Sequence, residues 1–200
     1  MVDLPTKYQN GYLKIVVGCM FSGKTSYIIK ESLAWKSIGK RVLMINYVLD
    51  TRYSTSRVVS HDRNGVECIM VPSIDQEQLK NIGVEIDGYD VIIVDEAQFF
   101  ENLRGNIRLW CDKMKKIVVV SGLDGDYKRN NFGNIYELIS DCDEYVKLKA
   151  YCAQCKNGTY GIFTQKKNIG TTNDSIVDIG GHDKYEPLCR AHYNLANDEI

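Results

Sequence analysis

The chain has 200 residues, 44% hydrophobic and 26% charged, which is typical of one globular domain with a small appendage. Its 25 basic and 26 acidic residues give a net charge of −1, so we expect no nucleic-acid partner. No apolar run reaches the ~18 residues of a membrane span, and residues 1–11 lack the apolar core of a signal peptide. Seven cysteines, an odd number, argue against a disulfide framework. We therefore expect a cytoplasmic protein with no membrane partner.

The first motif lies between the first predicted strand and the first predicted helix. Residues 13–17 have the apolar character of a buried strand, residues 26–35 have helical periodicity, and residues 41–47 form the next predicted strand. Before the helix the chain matches G-x-x-x-x-G-K-[ST], the pattern of a phosphate-binding P-loop. The matching residues are Gly18, Cys19, Met20, Phe21, Ser22, Gly23, Lys24 and Thr25. A glycine-rich structural turn would match the pattern but not its setting between strand and helix.

The residue types of the P-loop predict binding of ATP with Mg²⁺. Backbone N–H groups of the loop and of the helix N-terminus form an anion-binding site. Lys24 is expected to reach the β- and γ-phosphates, and Thr25 is expected to offer its hydroxyl to Mg²⁺.

Strands and helices continue to alternate up to about residue 150. We predict strands at 66–71, 90–94, 117–121 and 145–151, and helices at 75–82, 99–114 and 133–139. This alternation predicts an α/β fold with a parallel sheet, here a P-loop nucleoside triphosphate-binding domain over residues 1–150. Residues 151–200 lack long apolar runs, and we expect them to form a small second domain that needs extra stabilisation.

Two carboxylates follow the apolar strand at 91–94. Asp95 in this position is typical of a second magnesium ligand, bound directly or through water. Glu96 is placed to accept a proton from an attacking hydroxyl or water. The alternative to a metal and proton-accepting site is a pair of solvated carboxylates at a strand end. The P-loop upstream in the sequence favours the functional interpretation over this one.

The motifs narrow the class of P-loop protein. The N-K-x-D motif of GTPases does not occur in the sequence. A nucleotide-dependent DNA motor stays an alternative, because the segment D-E-A-Q at 95–98 is similar to helicase acidic motifs. Such motors normally need a second motor domain and basic surfaces, which 200 residues at charge −1 do not readily provide. A nucleotide-binding regulator without transfer chemistry is a further alternative. A small-molecule phosphotransferase fits best.

Two short C-x-x-[CH] segments in the last 50 residues have the spacing of zinc ligands. Cys152 and Cys155 form the first pair, and Cys189 and His192 form the second. Three cysteines and one histidine with no open position predict a structural Zn²⁺ site. A redox C-x-x-C pair and unrelated buried cysteines are the alternatives, and His182 is a second candidate for the fourth ligand.

Taken together, these motifs resemble those of one enzyme family. The chain resembles type II thymidine kinases, the cytosolic, tetrameric, zinc-containing class, over nearly its whole length. The segments that carry the resemblance are the P-loop at 18–25, D-T-R-Y at 50–53 with S-H-D at 60–62, D-E-A-Q-F-F at 95–100, L-D-G at 123–125 with Arg129 and Phe132, and G-G-H-D-K-Y at 180–185.

The resemblance implies ATP-dependent phosphorylation of thymidine at its 5′-hydroxyl, as in nucleotide salvage for DNA synthesis. It implies Glu96 as the general base, with Lys24 and Arg52 as further catalytic residues. It also implies a set of nucleoside-binding residues: Met20, Asp50, Arg52, Phe99, Leu123, Tyr127, Phe132, Thr164, Asp178 and Tyr185. From the residues alone, Phe99 and Phe132 fit a hydrophobic core equally well.

The resemblance further implies how the C-terminal domain and the assembly work. Residues 151–200 would form a lasso loop that zinc holds at both ends and that closes over the nucleoside. A homotetramer, deoxyuridine as an additional substrate and feedback inhibition by thymidine triphosphate belong to the same expectation.

The chain departs from the family pattern at three places. Cys19 replaces the usual proline of the P-loop, His192 replaces a cysteine, and the spacing before Thr164 is slightly longer. Because Cys19 precedes a helix N-terminus, we expect an environment that favours its thiolate and makes it sensitive to oxidation.

Overall fold

The central element of the protein is a six-stranded sheet in which every neighbouring pair is parallel. The computed structural model describes residues 8–48, 57–58, 66–167 and 181–197. The six strands are β1 (Tyr12–Gly18), β2 (Val42–Tyr47), β5 (Ile69–Val71), β6 (Val91–Val94), β7 (Ile117–Gly122) and β8 (Glu144–Leu148). Their spatial order is β5-β2-β6-β7-β1-β8, and β3 (Arg57–Val58) and β4 (Val66–Glu67) form a separate antiparallel pair.

Helices cover both faces of this sheet, which explains why its strands are apolar on both sides. Side chains alternate along β1, so that Ile15 joins one buried cluster and Val16 the other. Helix α1 (Lys24–Ser37) packs against the face that includes Val16. The opposite face is covered by α2 (Gln76–Asn81), by α3 (Leu103–Arg108) and by the π-helical turn that follows α3. The α/β class and the parallel sheet predicted from the sequence are confirmed.

The long helix predicted at 99–114 is divided into three pieces. A 3₁₀ turn spans Ala97–Phe99, α3 spans Leu103–Arg108, and a π-helical turn spans Leu109–Lys113. Asn102 has a left-handed backbone with φ 48°, which interrupts the helical path before α3. The apolar stripe is nevertheless buried, since Leu103, Ile107 and Trp110 are completely covered.

Three other predicted elements also differ from the structure. The single strand expected at 66–71 is two short strands, because β4 pairs antiparallel with β3 whereas β5 pairs in parallel with β2. The helix expected at 133–139 is a 3₁₀ turn over Ile135–Leu138. The single strand expected at 145–151 is two strands, because β8 pairs in parallel with β1 whereas β9 (Ala150–Tyr151) pairs antiparallel with β10 (Tyr160–Gly161). Continuous β-propensity along 145–151 carries no signal for this change of partner.

The C-terminal residues form small sheets and a helix beside the carboxyl end of β1. Besides β9 and β10 they contain an antiparallel pair, β11 (Phe163–Lys166) and β12 (Tyr185–Leu188), followed by α4 (Arg190–Asn197). Tyr193 of α4 donates a buried hydrogen bond of 2.6 Å to the backbone oxygen of Tyr127. This contact connects α4 to the segment that follows β7.

No helix among residues 8–48, 66–167 and 181–197 is both long enough and apolar enough to cross a membrane.

Candidate active site

The P-loop lies at the carboxyl end of β1, where the chain turns into α1. Gly18 ends the strand, and a Cβ atom there would lie 2.5 Å from the backbone oxygen of Leu148 in β8. Gly23 has φ 84°, a left-handed conformation that glycine adopts without strain, and α1 begins at the next residue. The two glycines of the motif are therefore required by β-strand packing and by the turn into the helix.

Lys24 folds back over the loop that precedes it. Its side chain is buried, and Nζ donates hydrogen bonds of 3.1 Å to the Gly18 oxygen and 2.9 Å to the Cys19 oxygen. The Ser22 hydroxyl is buried too and has no hydrogen-bond partner among the described residues. A buried unpartnered hydroxyl beside a buried ammonium group suits a loop whose partner is an anion.

Asp95 brings a second strand to the P-loop. Strand β7 lies between β1 and β6, yet the carboxyl ends of all three strands meet at one edge of the sheet. There the Thr25 hydroxyl donates a hydrogen bond of 3.4 Å to Asp95 Oδ2. Two oxygen atoms at this distance are suitable ligands for a Mg²⁺ ion, which prefers oxygen ligands.

The adjacent carboxylates of Asp95 and Glu96 are both buried. Burial, and secondly the negative charge of Glu96, raise the pKa of Asp95 to about 7. Glu96 has a left-handed backbone, φ 51°, and its N–H donates a hydrogen bond of 3.0 Å to Asp95 Oδ1. Because burial and a neighbouring negative charge both disfavour ionisation of Asp95, a divalent cation beside this carboxyl group is favoured.

Gln98 contacts the Glu96 side chain directly. Its amide nitrogen donates a hydrogen bond of 2.6 Å to Glu96 Oε2, and its amide oxygen accepts one of 3.1 Å from the Leu123 N–H. Sequence reasoning assigned no role to Gln98, although it lies in the D-E-A-Q-F-F segment at 95–100. A polar side chain two residues after the acidic pair was the available signal.

Aromatic side chains lie beside the acidic pair. Phe99 stacks on Tyr47 with ring centroids 5.2 Å apart and meets Phe132 edge-on at 5.5 Å. Phe99 and Phe132 are half-buried, so neither is a fully covered core residue. The Tyr127 hydroxyl is buried and has no hydrogen-bond partner within the described part of the chain. Leu123 is half-buried, and its backbone N–H donates the hydrogen bond to the Gln98 amide oxygen.

Three consecutive P-loop residues contact the C-terminal part. The Cys19 thiol donates to the Gly161 oxygen at 3.4 Å, and the Met20 N–H donates to the Thr164 hydroxyl at 3.0 Å. The Phe21 ring stacks on His182 with centroids 3.7 Å apart. Both Met20 and Thr164 were predicted to contact the nucleoside, and the structure places them in contact with each other.

The environment of Cys19 differs from the one that the sequence suggested. Its side chain is 1% exposed, and burial raises the pKa of its thiol in spite of backbone hydrogen bonds and the Lys24 charge. The expectation of a stabilised thiolate is therefore wrong, because desolvation outweighs the nearby helix N-terminus.

The four predicted zinc ligands come together in the C-terminal part. Ligand atoms of Cys152, Cys155, Cys189 and His192 all lie within 4.8 Å of one another. The sulfurs of Cys155 and Cys189 are 3.8 Å apart, and His192 Nδ1 lies 3.2 Å from the Cys155 sulfur. A tetrahedral ion with Zn–S bonds of ~2.3 Å separates two sulfurs by about 3.8 Å. The cluster therefore has the composition and the dimensions of a four-coordinate zinc site, and His182 lies at Phe21 instead.

Backbone groups favour ionised sulfur at two of the three cysteines in this cluster. Burial opposes ionisation of Cys152, yet hydrogen bonds from backbone N–H groups, that of Cys189 foremost, lower its pKa to about 6. The pKa of Cys189 is lowered mainly by the backbone N–H of His192. Thiolates are the form in which cysteine binds a metal, so the backbone suits Cys152 and Cys189 to that role. The pKa of Cys155, in contrast, is raised to about 11 by burial and by the neighbouring sulfurs.

Four predicted positions remain to be placed. Tyr185 is buried at the start of β12, where it pairs with Lys166 of β11. Asp50, Arg52 and Asp178 lie outside the described residues, as do residues 60–62. Their roles stay predictions from the sequence.

Comparison with known proteins gives a consistent set of matches. A family model described as thymidine kinase matches residues 11–193. A thymidine kinase of Oryza sativa subsp. japonica is 40% identical over 185 residues, which are 92% of this chain and 66% of the rice protein. Thymidine kinase a of Arabidopsis thaliana is 38% identical over 92% of this chain and 75% of its own length. The cytosolic thymidine kinase of Gallus gallus is 36% identical over 92% of this chain and 77% of its own length.

Proposed function

The chain belongs to the thymidine kinase family, and from that premise we propose how its residues transfer a phosphoryl group from ATP to the 5′-hydroxyl of thymidine, giving thymidine monophosphate and ADP. The observation that carries the proposal is the meeting of Thr25 and Asp95 at 3.4 Å, with Glu96 beside them. Phosphoryl transfer needs positioning and charge neutralisation more than covalent chemistry, and this edge of the sheet collects the groups for both.

In this proposal the P-loop binds the phosphates of ATP. The backbone of residues 18–25 surrounds the anion, the Ser22 hydroxyl gains the partner that it lacks, and Lys24 turns from the loop oxygens to the β- and γ-phosphates. Thr25 and Asp95 would hold Mg²⁺, which neutralises charge on the transferring group when bound. Asp95 is suited to this role because its burial beside Glu96 favours a nearby cation.

Glu96 acts as the general base. Its carboxylate accepts the proton of the thymidine 5′-hydroxyl as the hydroxyl oxygen attacks the γ-phosphorus. The left-handed backbone of Glu96 and its hydrogen bond from Gln98 hold the side chain at the end of β6. Arg52 would stabilise charge on the phosphoryl group, as the family resemblance implies.

The nucleoside is proposed to bind beside the half-buried Phe99. Phe99 and Phe132 provide apolar ring surface, and the buried Tyr127 hydroxyl offers a hydrogen-bonding group that has no partner among the described residues. Met20, Leu123, Thr164 and Tyr185 complete the predicted wall, together with Asp50 and Asp178. The division into a nucleotide domain at 1–150 and a lasso domain at 151–200 belongs to the same proposal.

Cys152, Cys155, Cys189 and His192 are proposed to hold a structural Zn²⁺ ion. Four protein ligands leave no open coordination position, so a zinc ion bound there supplies stability only. Because Cys19, Met20 and Phe21 contact this part of the chain, its order affects the P-loop directly.

The finer features of the family extend the proposal. We propose a homotetramer, acceptance of deoxyuridine and inhibition by thymidine triphosphate, since these accompany the family resemblance of the sequence. The chicken relative is named as a cytosolic enzyme, and we propose the same location for this chain.

A phosphotransfer assay tests the proposal. Zinc-replete protein with Mg²⁺-ATP is incubated with each deoxynucleoside in turn and with deoxyuridine, and the monophosphates are quantified. Product from thymidine and not from deoxycytidine or the purines is expected. Absence of product from every nucleoside would contradict the proposal and would direct attention to ATP hydrolysis stimulated by DNA.

The role of Glu96 is tested by Glu96→Gln, which we expect to lower kcat by roughly 10²–10⁴ while ATP and thymidine still bind. The matched control is Glu101→Gln, an exposed carboxylate on the same loop that should leave kcat unchanged. A Glu96→Gln enzyme with near-normal kcat would remove Glu96 as the base.

A further inference from the structure

Gln98 joins the proposed base to the segment that follows β7. Its Nε2 donates to Glu96 Oε2 at 2.6 Å, and its Oε1 accepts the Leu123 N–H at 3.1 Å. The side chain is 5% exposed. Both ends of one buried amide are therefore engaged, one with the acidic pair and one with the predicted nucleoside wall.

Neighbouring glycines restrict the position of this amide. A Cβ atom on Gly122 would lie 2.5 Å from Gln98 Oε1. Any side chain at this position of β7 would therefore displace the amide. Gly133 has φ 62°, and a Cβ there would collide with the backbone oxygen of Gln98. Because the Leu123 N–H requires an acceptor, the amide oxygen must face Leu123 and the NH₂ group must face Glu96.

We propose that Gln98 is a positioning residue for phosphoryl transfer: its amide fixes the orientation of the Glu96 carboxylate relative to the nucleoside wall at Leu123. The inference rests on the proposed function, in which Glu96 is the base. A hydrogen bond to one carboxylate oxygen sets the rotation of the whole group, and with it the direction in which the carboxylate accepts a proton. An uncharged amide does this without adding a third ionisable group to the buried pair.

Two substitutions separate the two ends of the amide. Gln98→Met keeps the length of the side chain and removes both hydrogen bonds. Gln98→Glu keeps an oxygen that accepts the Leu123 N–H but has no amide N–H for Glu96. We expect both variants to lower kcat by about 10- to 100-fold, with the KM values for ATP and thymidine changed by less than about 3-fold. If Gln98 served only to support Leu123, Gln98→Glu would keep normal kcat, and the proposal would be overturned.

A double-mutant cycle tests whether Gln98 acts through Glu96. In the Glu96→Gln background, Gln98→Met should lower kcat by less than about 2-fold, because there is no carboxylate left to orient. An equal loss in both backgrounds would show that Gln98 acts elsewhere, and would overturn the positioning role while leaving Glu96 as the base. Full activity of Glu96→Gln alone would instead overturn the proposed role of Glu96, and the inference with it.

Asn106→Leu is the matched control for loss of a buried amide. Asn106 is also 5% exposed, and its amide donates to a carboxylate, that of Asp75, at 2.8 Å. This variant should lower the melting temperature and leave kcat unchanged. Binding of ATP and thymidine, measured by calorimetry, establishes that each Gln98 variant is folded. If Gln98→Met does not fold, Gln98→Glu alone is used to test the proposal.

Discussion

The sheet region, described residues 8–148, and the cysteine–histidine region, residues 150–167 and 181–197, are held together by different interactions. In the sheet region, buried clusters of 21 and 11 residues lie on the two faces of the sheet. The cysteine–histidine region has a cluster of four buried residues: Cys152, Leu188, Cys189 and Tyr193. Two of these four are proposed metal ligands. Apolar burial is thus extensive in the first region and small in the second, so we expect the second region to depend on the proposed metal.

The contrast also concerns how the regions meet. Contacts of Cys19, Met20 and Phe21 with the cysteine–histidine region place the P-loop at the boundary. Loss of the proposed metal should therefore disturb the P-loop, although the residues of this loop belong to the sheet region.

Removal of the metal should have the largest effect. Metal binding to such a cluster contributes on the order of 10 kcal/mol to folding, so Cys152→Ser or a strong chelator should unfold the cysteine–histidine region alone. Hydrogen exchange should show lost protection in residues 150–167 and 181–197 and retained protection in β1, β6 and β7. Cys142→Ser, a cysteine outside the cluster, is the control and should keep about one zinc ion per chain. Unchanged protection after complete zinc removal would contradict the comparison.

A cavity in the core of the sheet region should have the next largest effect. Ile92 of β6 is completely buried, and Ile92→Ala should lower the free energy of unfolding by about 2–5 kcal/mol. Urea denaturation measures this change, and the zinc content of the folded variant should equal that of the parent chain. Leu195→Ala, at a side chain 74% exposed, should change stability by less than ~0.5 kcal/mol. Loss of zinc from folded Ile92→Ala protein would show that the two regions are not independent.

A polar contact within the sheet region should have the smallest effect, and one that depends on pH. The Asn106 hydrogen bond is the main cause of the lowered pKa of Asp75. Because the folded pKa lies below the unfolded value of about 3.9, this stabilisation is present above that pH and is lost as the pH falls through the folded pKa. Asn106→Leu should therefore cost about 1 kcal/mol near pH 6 and less near pH 3. Urea denaturation at both pH values measures this loss of stability. A loss that is larger near pH 3 than near pH 6 would contradict the prediction.

Local sequence patterns predicted much of the fold because they depend on neighbouring residues only. The P-loop and its flanking strand and helix required nothing beyond glycine spacing and apolar periodicity, and the structure has β1 and α1 there. The prediction of one continuous helix at 99–114 was wrong, because Asn102 has a left-handed backbone, which apolar periodicity does not indicate. The strand at 145–151 was wrong because its two halves pair with different sheets.

The candidate site shows the same limit at the level of single residues. Asp95 and Thr25 were assigned to one magnesium site from motif order, and the structure places their oxygens 3.4 Å apart. Cys19 was expected as a thiolate from its position before a helix, but its burial against Gly161 raises its pKa instead. Burial by a distant segment is not visible in a local pattern.

By itself, the sequence determined the α/β class, the P-loop, the acidic pair at 95 and 96, and the two pairs of proposed metal ligands, because each depends on residue type and short spacing. Only the tertiary structure decided that β7 separates β1 from β6, that His182 stacks on Phe21, and that Gln98 faces Glu96. These depend on contacts between residues distant in the chain or on the exact path of the backbone, and a side chain's partner is set only when the surrounding elements have packed.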